Sequence, residues 1–128
     1  MNKKVIHTEK SPAAIGAYSQ AVRHEDTIYV SGQIPLDPLT MEVVSQDFRA
    51  QAEQVFKNLT AIAEEADTSL ANALKLTVYL TDLDDFALLN EVMADYCQQP
   101  FPARAAVQVS ALPKGVKIEI DSVLCVNN

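Results

Sequence analysis

Positive charge is scarce in this chain. Ten lysines and arginines stand against seventeen acidic residues among 128, a formal net charge of −7. Binding that works by neutralising phosphates needs clustered Lys and Arg. The densest basic groupings are Lys3-Lys4 and the spaced pair Lys114 and Lys117, and neither forms a stripe, so no nucleic-acid partner is expected. Metal-ligating side chains are equally sparse. The two cysteines, Cys97 and Cys125, and the two histidines, His7 and His24, have no metal or redox spacing. No metal site is expected, and the thiols read as free in a reducing cytosol. No apolar run approaches a membrane span, and Met1–Glu9 lacks the apolar stretch of a signal peptide. The expected location is cytoplasmic, with no membrane partner. Linkers, low-complexity tracts and internal repeats are also missing, and the length suits one core rather than two, so residues 1–128 read as a single domain.

What is present is periodic. Val5-Ile6-His7 reads as a short strand, and Tyr18–Arg23 with Thr27–Ile34 as a hairpin turning at His24-Glu25-Asp26. Asp47 caps the clearest helical pattern. Phe48, Ala52, Val55, Phe56, Leu59, Ile62, Ala63 and Ala66 follow a 3.6-residue period there, with Gln51, Glu53, Lys57 and Glu64 outward. Ala73–Thr81 changes to period two, with Leu74, Leu76, Val78 and Leu80 on one face and Lys75, Thr77, Tyr79 and Thr81 on the other. A second helix is expected from about Asp84 to Cys97, burying Phe86, Leu89, Met93 and Tyr96. Two strands, one around Arg104 and one over Lys117–Val126, finish the chain. This order suits an α+β fold, a mixed, largely antiparallel sheet with both helices packed on one face.

One residue stands out from that pattern. Arg104 lies inside the apolar, proline-introduced run Phe101-Pro102-Ala103-Arg104-Ala105-Ala106-Val107-Gln108-Val109, flanked by small alanines and with no acidic neighbour close in sequence. A guanidinium stays charged and presents a planar fork of donors, so it calls for a carboxylate or a phosphate. Glu119, in the strand Lys117-Ile118-Glu119-Ile120-Asp121, supplies one. Spacing alone leaves open whether the two form a structural ion pair or serve a ligand. Alternation is expected to place Arg104, Gln108 and Ser110 on the uncovered sheet face, with Glu119 and Asp121, Tyr29, Ser31 and Gln33, and Thr77 and Tyr79. That face is too polar for a second helix layer and too rich in Tyr, Thr and Ala for ordinary solvent. A homo-oligomer with sites at its seams follows.

Several ordered motifs, covering essentially the whole chain, resemble the RidA/YjgF reactive-intermediate deaminases. They are Ala14-Ile15-Gly16-Ala17-Tyr18-Ser19-Gln20-Ala21, Ser31-Gly32-Gln33-Ile34-Pro35-Leu36-Asp37-Pro38, Asp85-Phe86 with Asn90, Phe101-Pro102-Ala103-Arg104, and Leu112-Pro113 with Val116-Lys117-Ile118-Glu119-Ile120. The resemblance implies a homotrimer of chorismate-mutase-like subunits around a central barrel, with three clefts between subunits. It implies hydrolysis of reactive enamines and imines such as 2-aminoacrylate to 2-oxo acids and ammonia, without a cofactor.

By the same resemblance, Arg104 clamps the substrate carboxylate and Glu119 positions or activates the attacking water. Tyr18 closes over the ligand, Ser31 and Gly32 line the cleft, and Asn90 makes a polar contact there. On spacing alone, Gly16 and Gly32 read better as simple turn and bulge glycines. The chain also departs from the family pattern. Ala17 stands in place of a proline, Ala106 in place of a cysteine, Met41 in place of a turn glycine, and Cys97–Pro100 is short. A different class of function uses the same cleft as a carboxylate-binding or regulatory module without turnover. Glu119 weighs against it, because a second negative charge does not help hold a carboxylate. Ribonuclease or translation-inhibitor activity sits poorly with the acidic balance.

Overall fold

A computed structural model describes residues 2–126. The chain runs β1 (Lys4–Ile6), β2 (Ala21–His24), β3 (Thr27–Gln33), α1 (Phe48–Glu65), β4 (Ala73–Leu80), α2 (Phe86–Tyr96), β5 (Ala103–Gln108) and β6 (Ile118–Cys125). One sheet of six strands has the order β1-β2-β3-β6-β4-β5. Every pairing is antiparallel except β4 with β5, the pair that α2 connects. The fold is α+β, as the pattern of elements predicts, with α1 and α2 packed on each other and α1 laid across β3 and β6.

Local chemistry explains most boundaries. The Asp47 carboxylate accepts from the Ala50 amide at 3.0 Å and starts α1, satisfying a donor that the first turn would leave free. The stripe Phe48, Ala52, Val55, Phe56, Leu59, Ile62 and Ala63 is buried against the sheet. Each large side chain so buried contributes about 1.5–3 kcal/mol. Gln51 departs from expectation. It faces inward and is 1 % exposed, because its amide bridges two loops, donating to the Ser45 carbonyl and accepting from the Lys117 amide at 2.8 Å each. In α2, Leu89, Val92 and Met93 are buried, and Tyr96 stacks on Phe56 with centroids 5.3 Å apart.

Two bulges redirect side chains that strict alternation would place otherwise. Val30 pairs with Ser122 but Gln33 with Ile120, so the extra residue in β3 turns Gln33 into the interior. Gln33 therefore does not share a face with Tyr29. There it accepts from the Ser11 hydroxyl at 3.2 Å. The register of β4 on β6 likewise shifts between Ala73 and Lys75, which leaves Leu74 49 % exposed rather than in line with Leu76, Val78 and Leu80.

The face away from the helices carries ordered cross-strand rows. Val22, Tyr29, Val123, Lys75 and Ala103 stand in one, Asp121, Thr77 and Ala105 in the next, then Glu119, Tyr79 and Val107. Tyr29 and Val107 are exposed there.

Candidate active site

Glu119 is held by what lies beneath it. It projects from β6 onto the open face, directly above Gly32 of β3. A Cβ at position 32 would overlap the carboxylate, with Glu119 Cδ at 2.9 Å. The glycine is thus the residue that lets the acid lie down against the sheet. Burial, and secondarily the charge of Asp121, push the Glu119 carboxyl above the usual glutamate range. Asp121 in turn accepts from the Tyr79 hydroxyl at 3.1 Å. That bond raises the phenol's pKa and keeps it a donor.

A strap formed by residues 8–20 walls this acid on one side. Tyr18, Ile15 and Pro12 line a hollow of about 350 Å³ together with Gly32, Lys114 and Glu119. Gly16 has φ +123, a backbone that favours glycine, and it turns the strap beneath the Tyr18 ring. The Tyr18 hydroxyl accepts from the Ile15 amide at 3.2 Å, and its ring is exposed. Ser31 serves the strap from below: its hydroxyl donates to the Ser19 carbonyl at 2.6 Å. Met41 takes φ 61 at the position where the resemblance leads one to expect a glycine.

Arg104 lies elsewhere, contrary to the alternation argument. Its register partner in β4 is Leu76, whose side chain is in the core, whereas the partner of Glu119 is Tyr79 on the open face. Arg104 and Glu119 therefore leave opposite faces of the sheet. Strand alternation says which residues share a side, not which side the helices cover. In β5 the covered side is the one carrying Arg104, Ala106 and Gln108. Ala106 packs against the core, and the Gln108 side chain accepts from the Leu83 amide at 2.9 Å.

At the sheet edge, Arg104 reaches past the strand onto α2. Nη1 donates to Asn90 Oδ1 at 2.6 Å and approaches Met93 Sδ at 3.6 Å, and Cζ lies 5.0 Å from the centre of the Phe86 ring. Arg104, Asn90 and Met93, with Ala94, Phe101 and Pro102, border a second hollow of about 500 Å³. The ion pairs among the described residues are Arg23–Asp26 and Arg49–Glu91, so a structural Arg104–Glu119 bridge is ruled out.

The expected residues thus fall into two groups. Tyr18, Gly32 and Glu119 come together on one face with Ser31 behind them; Arg104 and Asn90 come together on the other. Sequence reasoning gave Phe86 and Met93 no role beyond packing, although Phe86 stood with Asn90 in one of the motifs. The signal that could have found them is their spacing with Asn90 at i, i+4 and i+7, which sets all three on one stripe of α2. Among the described residues, no group of His, Cys, Asp and Glu is arranged to hold a metal ion, and no helix is long and apolar enough to cross a membrane.

Comparison with known proteins places this arrangement in context. The family model described as endoribonuclease L-PSP matches residues 8–126. A 2-iminobutanoate/2-iminopropanoate deaminase of Rattus norvegicus is 50 % identical over 121 residues, 94 % of this chain and 88 % of the rat protein. Among solved structures, RidA of an Antarctic Psychrobacter superposes with a TM-score of 0.92 at 56 % identity, covering 95 % of this chain and 98 % of its own. TdcF of E. coli with bound serine superposes with a TM-score of 0.88 at 39 % identity, over 95 % of this chain and 98 % of that one.

Proposed function

The chain belongs to the RidA/YjgF family, and from that premise we propose that it hydrolyses 2-imino and 2-enamino acids, 2-aminoacrylate among them, to 2-oxo acids and ammonia. The enzyme acts as a cytosolic homotrimer without a cofactor, and each site forms where the Arg104 face of one subunit meets the Glu119 face of the next. One observation carries this reading: Arg104 and Glu119 sit on opposite faces of the same sheet, each beside its own hollow. A single chain cannot bring them to one small substrate, whereas two copies can.

The chemistry suits these groups. A 2-imino acid carries a carboxylate beside an electrophilic carbon, and a bidentate guanidinium fixes that carboxylate. The protonated imine is already activated. Water adds to C2, and Glu119 takes the proton the water gives up. The raised basicity of Glu119 favours this step. The same proton passes to the nitrogen, the C–N bond breaks, and ammonia leaves as C2 becomes a carbonyl and Glu119 takes up the hydroxyl proton. An enamine enters the path by taking a proton on its terminal carbon. Tyr18 closes the site, and Gly32 keeps Glu119 low enough to leave room for substrate. The family model bears an endoribonuclease description, but a net charge of −7 works against holding a phosphate backbone. Imine hydrolysis is preferred on that ground.

The test is release of ammonia and 2-oxo acid from freshly generated imines, with and without the protein. Acceleration over spontaneous hydrolysis is expected. Arg104→Ala should abolish turnover and Arg104→Lys should restore it poorly, since lysine keeps charge but loses the planar fork. Loss of one charge-assisted contact is worth roughly 1.5–3 kcal/mol, about a ten- to hundredfold weakening of carboxylate binding. No acceleration by the wild-type protein sinks the proposal.

A further inference from the structure

We propose that Phe86 is a positioning residue for Arg104: its ring fixes the plane of the guanidinium so that the Nε–Nη2 side of the fork, rather than its end, meets the substrate carboxylate. This rests on the assignment of Arg104 as the carboxylate clamp. A guanidinium has five N–H donors, two of them on Nη1. Nη1 is committed to α2, at 2.6 Å from Asn90 Oδ1 and 3.6 Å from Met93 Sδ. Nε and Nη2 have no acceptor among the described residues. Three donors therefore remain, and two of them, Nε–H and one Nη2–H, form the side-on pair that matches the two oxygens of a carboxylate.

Bonds through Nη1 pin only one corner of the group. The flanking residues in the edge strand, Ala103 and Ala105, point to the opposite face and give the side chain no lateral support. Rotation about the pinned corner would change the direction in which Nε and Nη2 point. The Phe86 ring, 5.0 Å from Cζ, opposes that rotation by the attraction of its face for the cation. Phe86, Asn90 and Met93 occupy i, i+4 and i+7 of α2. One helix stripe thus supplies the platform and both acceptors.

The test uses the whole protein and two readouts, calorimetric titration of 2-oxobutanoate and steady-state imine hydrolysis. Phe86→Leu should weaken 2-oxobutanoate binding and raise KM about three- to tenfold while kcat changes much less. Phe86→Tyr, which keeps the ring, should restore both. In an Arg104→Ala background, Phe86→Leu should have no further effect on binding, whereas a merely structural role would act equally in both backgrounds. If Phe86→Leu melts within the assay range, Phe86→Met takes its place. Wild-type affinity in Phe86→Leu, failure of Phe86→Tyr to restore it, or an equal loss in the Arg104→Ala background overturns the inference. Unchanged 2-oxobutanoate binding in Arg104→Ala removes the clamp on which the inference rests. Binding without turnover by the wild type overturns the deaminase proposal and leaves the Phe86 result to stand on the titration.

Discussion

Gly32 and Glu119 are coupled by exclusion: the space a Cβ would fill at position 32 is the space the carboxylate occupies. Gly32→Ala meets only the far end of a flexible side chain, and position 32 has no left-handed backbone to strain. The fold should survive, with stability changed by no more than about 1 kcal/mol, while turnover falls as Glu119 is pushed aside. Thermal melts alongside imine hydrolysis check both halves. Glu119→Gln should also slow turnover, because it removes the basicity that water activation needs, yet leave affinity for a 2-oxo acid nearly unchanged. A gain in affinity with no loss of rate contradicts the role given to Glu119. The variant carries a second signature. Folding raises the Glu119 pKa, chiefly through burial, so the folded state holds this proton more tightly than the unfolded chain. Its contribution to stability is complete below the ordinary glutamate value of 4.5 and is lost as pH rises through the elevated value. Denaturant unfolding of Glu119→Gln relative to wild type should therefore favour the variant increasingly as pH rises above the ordinary glutamate value of 4.5. Residue types were legible at this scale. An arginine amid alanines and an acid in a neighbouring strand both announced themselves; Phe86 and Met93 did not, because apolar residues at helical spacing are ordinarily core.

Among the elements, those with local signals were read well and those fixed by distant contacts were not. Asp47 and the stripe from Phe48 to Ala66 define α1 from sequence alone. Gly32 marks the bulge in β3 as a glycine can, but the shift near Leu74 leaves no such mark, since it depends on register against β6. Gln51 reads as an outward polar residue until the loops that it bridges are known. The strap over Glu119 depends on a similar residue. Gln20 is 2 % exposed, accepts from the Thr8 amide at 2.8 Å, and donates to the carbonyls of Thr8, Ser11 and Pro12 at 3.0, 3.2 and 2.8 Å. Gln20→Leu fills similar space and leaves those backbone groups unpaired, each costing about 1–3 kcal/mol where it stays dry. Urea unfolding should show the loss, and hydrogen exchange at the Thr8 amide should quicken. Because the strap carries Tyr18, KM should rise as well; an unchanged exchange rate at Thr8 contradicts the anchoring role.

For the whole molecule, the open sheet face is the decisive feature. Tyr29 and Val107 are 51 % and 44 % exposed there, in rows that also carry Thr77, Tyr79 and Ala105. This mixture of aromatic, small and polar residues was legible in the sequence and pointed to self-association. Which face Arg104 would take was not legible, because alternation is symmetric until packing chooses a side. The actual placement strengthens the case for a shared site, since Arg104 and Glu119 diverge within one chain. Light scattering should report a trimer, and a stable monomer at micromolar concentration would remove the shared site altogether. The most direct measurement mixes the two impaired variants, Arg104→Ala and Glu119→Gln, in equal amounts under conditions that let subunits exchange. If each site takes its arginine from one subunit and its glutamate from the neighbour, random mixing restores about a quarter of the wild-type sites, and activity should return to about that level. If one chain held both groups of a site, every site in the mixture would lack one of them. Activity that stays at the level of the separate variants after proven exchange would contradict the account.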